Sequence, residues 1–339
     1  MKASRLFDFH QMQAVSVDRP VAGPLDLVVR VEACGICGSD RHMYKGEFPT
    51  SRPVTLGHEF SGIVEEVGGA VTRFKPGDRI TGDPNIACGH CAQCGQGRVN
   101  LCENLQALGV HRDGGFAEHV LVPQSQAYPL PSDLNPLHGV FCEPLACCLH
   151  ALDVALLRPG QSVAVLGGGV IGLIMVQLAR LNGASAILLS TRQKSRRDLA
   201  LKLGATATLD PTEQDLAEAM SGRSGLAPGG VDVVFECAGV PDTFVQSLDI
   251  VRRGGTVVIF GVMPQGQKVS VMPFDLLVKE IRLEGAFLNP FTHGRAAAMV
   301  AARLLDLDSL ITRTIGLDEV ATVIAAEPAP GDVKIIAVP

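Results

Sequence analysis

The sequence predicts an α/β protein of two domains, one β-rich and one built on a doubly wound parallel sheet. Three observations carry that prediction. Strand-like segments broken by turns fill roughly the first 80 residues, four cysteines crowd a glycine-rich stretch near residue 90, and a strand, a glycine turn and an apolar helix follow one another from Ser162. A length of 339 residues suits about two domains. The chain is 47% hydrophobic and 19% charged with a net charge of −6, so it lacks the basic footprint that nucleic acid or an anionic membrane would require.

In chain order, Leu27–Glu32 alternates in the strand manner, Gly62–Val67 does so less regularly, and Phe74–Ile80 sets a Pro-Gly turn before a strand. Between them, Cys34–His42 reads as a tight loop with Gly35 and Gly38 flanking Cys37, and Gly57-His58-Glu59 follows. Cys37 offers a thiolate and His58 a neutral imidazole, both donors that zinc accepts. A third protein ligand would leave one position open for water or an alcohol oxygen. A lone Cys and a lone His at this separation are more often structural, so the pair needs support from elsewhere in the chain.

Cys88, Cys91, Cys94 and Cys102 then follow at spacings that wrap a tetrahedral ion within one lobe. Four thiolates close the coordination sphere, so this site is expected to be structural. Zinc is favoured over an iron–sulfur cluster and over a C-x-x-C redox pair; the redox pair leaves two thiols unexplained, and His90 adds nothing needed. Asp113–Val120 reads as a turn leading into a strand. Farther on, Glu143 is a single carboxylate in an apolar segment. Beside Pro144 it reads either as an exposed acid at a helix start or, given Cys37 and His58, as a third ligand, direct or through water. Cys142, Cys147 and Cys148 read as core thiols.

The strand Ser162–Leu166, the turn Gly167-Gly-Gly169-Val170-Ile171-Gly172 and the helix Leu173–Asn182 form a G-x-G-x-x-G motif in its confirming context. The glycines permit the tight turn and the approach of a pyrophosphate, which the helix N-terminus then faces. Ala186–Ser190, Val231–Phe235 and Thr256–Phe260 supply further strands, with helices near Arg196–Leu203, Glu213–Ser221 and Asp242–Arg252. An NAD enzyme carries Asp or Glu about 20 residues after the glycines. Here the second strand ends Ser190-Thr191-Arg192, which removes repulsion against a 2′-phosphate and adds a planar cation. Arg196 and Arg197 stand one turn on. The expectation is NADP preferred, with NAD possible; the competing reading is that these arginines form a solvated helix face.

The tail has an alanine-rich helix over Gly294–Leu305 and a strand over Val333–Val338, and its pattern matches the first domain better than the second. The expected division is a catalytic domain over 1–147 with a zinc lobe at about 84–106, a dinucleotide domain over 148–286, and a return to the catalytic domain over 287–339. Charge near the N-terminus where a signal peptide needs an apolar core, apolar runs short of a membrane span, and ten cysteines without an export signal point to a cytoplasmic protein.

Taken together, Cys34–His42, Gly57-His58-Glu59, the four cysteines, Glu143-Pro144-Leu145 and the Gly167–Gly172 turn resemble the zinc-dependent medium-chain dehydrogenases, in the sorbitol (polyol) and threonine dehydrogenase branch. The resemblance covers essentially the whole chain. It implies a GroES-like catalytic domain made of both chain ends, a Rossmann domain inserted between them, and a homodimer or homotetramer. It further implies that Cys37 and His58 bind catalytic zinc, that Glu59 and Glu143 complete the sphere directly or through water, that Ser39 accepts the alcohol proton, and that His42 passes it on. The chemistry of the residues agrees: zinc is a Lewis acid for the alcohol, and Ser39 lies two residues from the thiolate. Asp40 reads equally as a partner behind the ligands or as a solvated turn acid. Two departures bear on substrate. The polyol enzymes carry Tyr where this chain has Met43, for which Tyr44 is a substitute, and Arg where it has Leu288, for which nothing substitutes. Sorbitol is thus disfavoured against a smaller or less polar secondary alcohol or a different sugar alcohol. The alternatives are an NAD-dependent polyol or amino-alcohol dehydrogenase, a zinc-free reductase of the same fold, a non-catalytic nucleotide sensor and a zinc-dependent nucleic-acid binder.

Overall fold

Ten residues, Asp26–Gly35, form the strand around which the first sheet assembles. Its alternation continues beyond Glu32 because both faces of its end are covered: Ala33 and Cys34 are fully buried. The structure, a computed structural model, describes residues 1–221 and 226–339. These fall into two units, Met1–Ala146 with Asn289–Pro339, and Cys147–Leu288.

In the first unit the sheet runs Ala127–Pro129, Arg79–Gly82, Glu59–Val67, Asp26–Gly35, Lys334–Ala337, Ile311–Ile315, and His119–Pro123 also pairs with Asp26–Gly35. Leu27, Val29, Val31, Phe60, Val64 and Phe116 pack its core. The terminal strand pairs antiparallel to the hub, Ile336 with Gly35 and Ala337 with Cys34. A ribbon of Asn85–Ile86 and Gln106–Ala107 closes the base of the four-cysteine lobe.

The stretch expected as a loop around Cys37 is a helix from Gly38 to Lys45, with Cys37 as its N-cap. Asp40, three residues on, accepts a hydrogen bond from the Cys37 N–H at 2.9 Å and so satisfies a donor that the helix leaves open. Gly38 hid this signal. The helical stretch Pro136–Ala155 corrects the expectation of uniformly short apolar runs: it reaches spanning length, but most of it is buried inside the protein, as in a core helix.

In the second unit six parallel strands run in the order Ala207–Leu209, Ala186–Ser190, Ser162–Leu166, Val231–Glu236, Val251–Ile259, Arg282–Gly285. This is the doubly wound order, which places a ligand-binding crevice beyond the ends of its first strand. The helix expected over Asp242–Arg252 stops at Ile250. Val251 and Arg252 instead open the next strand, where Arg252 Nε donates to Asp232 Oδ1 at 2.8 Å on the neighbouring strand. The tail helix is shorter than expected, His293–Ala301.

A buried polar network links the cysteine lobe's root to the tail. Asp83 accepts from the Asn85 N–H at 3.0 Å, Asn85 Nδ2 donates to Asn289 Oδ1 at 2.7 Å, and Asn289 lies 3.5 Å from His293 Nδ1. Burial pushes the Asp83 carboxyl up to about 6 against those hydrogen bonds. A carboxyl raised on folding costs stability as pH climbs from its unfolded value near 4 through about 6, here by about 3 kcal/mol at most. Asp83→Asn should therefore gain stability relative to wild type between pH 4.5 and pH 7 in urea titrations. Parallel pH dependences for the two proteins would contradict this assignment.

Candidate functional site

The hub strand, the helix it feeds and the strand Glu59–Val67 bring three donor atoms together. One ligand atom each from Cys37, His58 and Glu59 lies within 4.8 Å of the others. A thiol, an imidazole and a carboxylate are a donor set that suits zinc and leaves a position open. His58 and Glu59 are buried. Ser39 Oγ sits 3.3 Å from His58 Nε2, beside the nitrogen that would face an ion. Asp40 is fully buried, with Oδ1 3.4 Å from His58 Nδ1, so it backs the imidazole and is not a solvated turn acid. Burial disfavours the imidazolium, but Asp40 and then Cys37 outweigh it and raise the His58 pKa well above the usual value. Both the Asp40 and His58 atoms lack a well-aligned hydrogen bond. Metal binding at Nε2 would set the tautomer with a proton on Nδ1, facing Asp40.

Glu143 is buried in the first turn of the helix Cys142–Ala155, so it is not an exposed acid, and its oxygens fall outside the three-atom cluster. His42 Nδ1 lies 2.6 Å from Glu47 Oε2, and its ring is partly exposed, as a route to solvent requires.

Lys334 escaped sequence reasoning. It is fully buried, and its ammonium pairs with Glu59 Oε2 and donates to the Ile36 carbonyl at 3.2 Å. Burial alone would lower its pKa; Glu59, with Cys37, reverses this and raises it. A side chain at Gly35 would collide with both members of the pair, so only glycine leaves them room. A lysine within the apolar strand Lys334–Ala337 was the available signal.

The sulfurs of Cys88, Cys91, Cys94 and Cys102 also lie within 4.8 Å of one another. Backbone N–H groups of Cys88 and Asn104 point at Cys102 Sγ, at 3.2 and 3.4 Å. Backbone hydrogen bonding, first from His90, draws the Cys88 thiol down to about 6, whereas burial drives Cys94 up to about 12. His90 turns its Nδ1 to the Cys88 carbonyl at 2.8 Å.

In the second unit Gly167 takes a φ of 115°, Gly169 caps the helix Val170–Leu181, and a side chain on Gly172 would strike the Gly167 carbonyl. Val170 and Ile171 open that helix. Ser190 ends the second strand, and its carbonyl accepts from Gly167 N at 2.9 Å; Thr191 packs over Gly168, and Arg192 is exposed. Arg196 is half-buried. Arg197 does not extend outward as a further phosphate ligand, because it is paired with Asp210. Tyr44 donates to the His10 carbonyl at 3.1 Å and Met43 is a core residue, so neither supplies the missing polyol contact. Asn289, next to Leu288, is engaged in the buried network.

Residues 23–132 match the alcohol dehydrogenase GroES-like domain, and residues 170–303 match the zinc-binding dehydrogenase family. Sorbitol dehydrogenase of Bacillus subtilis (strain 168) is 32% identical over 324 residues, which cover 94% of this chain and 91% of that protein. L-threonine 3-dehydrogenase of Rhizobium johnstonii is 33% identical over 311 residues, covering 90% and 88%. A crystal structure described as a zinc-binding dehydrogenase from Sinorhizobium meliloti 1021, bound to NADP, is 58% identical with a TM-score of 0.99, covering 100% of this chain and 99% of that one.

Two outcomes follow from these geometries. Lys334→Met strands the buried Glu59 charge and should cost about 3–5 kcal/mol in denaturant unfolding, much of it recovered when Glu59→Gln is added; additive losses would contradict the pairing. Cys94→Ser should lower Tm and folded yield while leaving turnover per folded molecule within about threefold. A variant with wild-type Tm and impaired turnover would reverse the role given to that lobe.

Proposed function

This chain belongs to the zinc-dependent medium-chain dehydrogenases, and we propose that Cys37, His58 and Glu59 hold the catalytic zinc of an NADP(H)-preferring alcohol dehydrogenase. The enzyme is an oxidoreductase that moves a hydride between a secondary alcohol or polyol and a nicotinamide cofactor. The convergence of those three donor atoms carries the reading, since a nucleotide sensor has no use for it.

Zinc, when bound, supplies the Lewis acidity that makes a substrate hydroxyl acidic near neutral pH, and the nicotinamide supplies the hydride acceptor. Ser39 Oγ, beside His58 Nε2, would accept the hydroxyl proton while giving its own to the cofactor ribose, the link to His42. His42 passes it toward solvent, held in orientation by Glu47. Asp40 fixes the His58 ring, and Lys334 keeps the buried Glu59 compensated. Glu143 completes the sphere directly or through water. Four cysteines, Cys88, Cys91, Cys94 and Cys102, hold a second, structural zinc.

Cofactor choice rests on the turn at Ser190, Thr191 and Arg192, with Arg196 behind it: an uncharged hydroxyl and an exposed guanidinium stand where an NAD enzyme keeps an acid. The NADP held by the Sinorhizobium protein supports this. Met43 is buried and Asn289 is committed to Asn85, which supports a smaller or less polar secondary alcohol, or a different sugar alcohol, over sorbitol. The edge strand Arg282–Gly285 and the helix Pro273–Lys279 expose Leu283, Phe274 and Leu277, the last two at 65% and 73%. We infer that a second copy covers this face, as an unpaired apolar sheet edge invites; a monomer in sedimentation would contradict it. Ten cysteines with no disulfide among them suit a reducing compartment, and we infer a cytoplasmic enzyme, which cell fractionation would test.

Cys37→Ser should abolish alcohol turnover while NADP(H) binding, followed by fluorescence titration, persists. Wild type should show higher kcat/KM with NADP(H) than with NAD(H), and Thr191→Asp with Arg192→Ala should move that preference toward NAD(H). Full turnover in Cys37→Ser, or a wild type that prefers NAD(H), would contradict the respective half of this reading.

A further inference from the structure

The turn after the second strand of the parallel sheet is tied down by its own backbone. Arg197 Nη1 donates to the Thr191 carbonyl at 2.7 Å, the Arg192 carbonyl at 2.8 Å and Asp210 Oδ2 at 2.6 Å. The other Asp210 oxygen accepts from Thr212 N at 3.0 Å and Thr212 Oγ1 at 2.7 Å. Thr191 N donates in turn to the Leu209 carbonyl at 3.1 Å. The Arg197 and Asp210 side chains are only 15% and 10% exposed, so the pair is a built element of the fold.

We propose that Arg197 is a positioning residue for cofactor selectivity, binding one carboxylate and two peptide carbonyl oxygens beside the site for a 2′-phosphate. The proposal rests on the NADP(H) reading of Thr191 and Arg192. A phosphate monoester carries about −1.5 to −2 charges at neutral pH, and two free carbonyl oxygens and a carboxylate at that corner would repel it. Arg197 takes all three and fixes both peptide planes of the turn that presents Arg192. Asp210 is thereby a masked acid. Unmasked, it would give this corner the negative charge that an NAD enzyme keeps near the end of its second strand. The Arg197–Asp210 pair thus lets an acid stay in the fold without excluding the phosphate.

The experiment compares KM and kcat for NADP(H) and NAD(H) in wild type, Arg197→Met, Arg197→Lys and Arg197→Met with Asp210→Asn, with Tm recorded for each. Arg197→Met should lower the NADP(H)/NAD(H) selectivity ratio by about tenfold or more, through KM for NADP(H) and not kcat. The added Asp210→Asn should restore most of that ratio, and Arg197→Lys should fall between. A wild type that prefers NAD(H) would overturn the cofactor reading itself. A wild type that prefers NADP(H), with an unchanged ratio in folded Arg197→Met, would overturn this proposal alone. So would equal losses with both cofactors, a lower Tm and no recovery in the double variant, because the pair would then be only a brace.

Discussion

A carboxylate and an ammonium without access to water, Glu59 and Lys334, impose the tightest constraint in the catalytic unit. Either charge alone would cost several kcal/mol to bury, so each requires the other in place. That requirement fits the return of the terminal strand to the hub strand, the glycine at position 35, and the placement of Glu59 next to His58 and Cys37. The same arrangement keeps a charged oxygen ligand ready in an apolar core. The donor set is thus preorganised by an ion pair whose halves lie 275 residues apart.

The two cysteine-containing sites divide their labour by coordination number. In the proposed assignment four sulfurs would close one sphere and tie a lobe together, whereas one sulfur, one imidazole and one carboxylate would leave the other open. The second has polar side chains arranged behind and beside it, with Asp40 behind the imidazole, Ser39 beside its Nε2, and His42 with Glu47 at a partly exposed position. The second unit repeats this economy. Its glycine turn leaves room for a pyrophosphate, and its charged residues either face solvent, as Arg192 does, or are matched in place, as Arg197 and Asp210 are.

Features encoded by neighbours in sequence were legible before the structure. Ser162–Leu166 and Ala186–Ser190 are strands over those spans, and the Gly167–Gly172 turn joins a strand to a helix, because hydrophobic runs and glycine spacing are local signals. Cys37 and His58 were legible as donors from residue chemistry. The helix beginning at Gly38 was not, because its capping acid follows a cysteine and a glycine instead of the usual Ser or Thr. Lys334 and the Arg197–Asp210 pair were not legible either. Their partners are fixed by strand pairing and by the turn's conformation, which one sequence read in windows does not show. For Arg197 the sequence shows the charge but not the partner, Asp210.

The central claim is that this chain binds two zinc ions, one closed by four sulfurs and one held open in the catalytic unit. Anomalous diffraction collected across the zinc edge of crystals grown without added metal tests it most directly. The account predicts two zinc peaks per chain, one among Cys88, Cys91, Cys94 and Cys102, and one bonded to Cys37 Sγ and His58 Nε2. A single peak confined to the four cysteines, in a protein that turns over alcohols, or a signal at the iron edge, would contradict it.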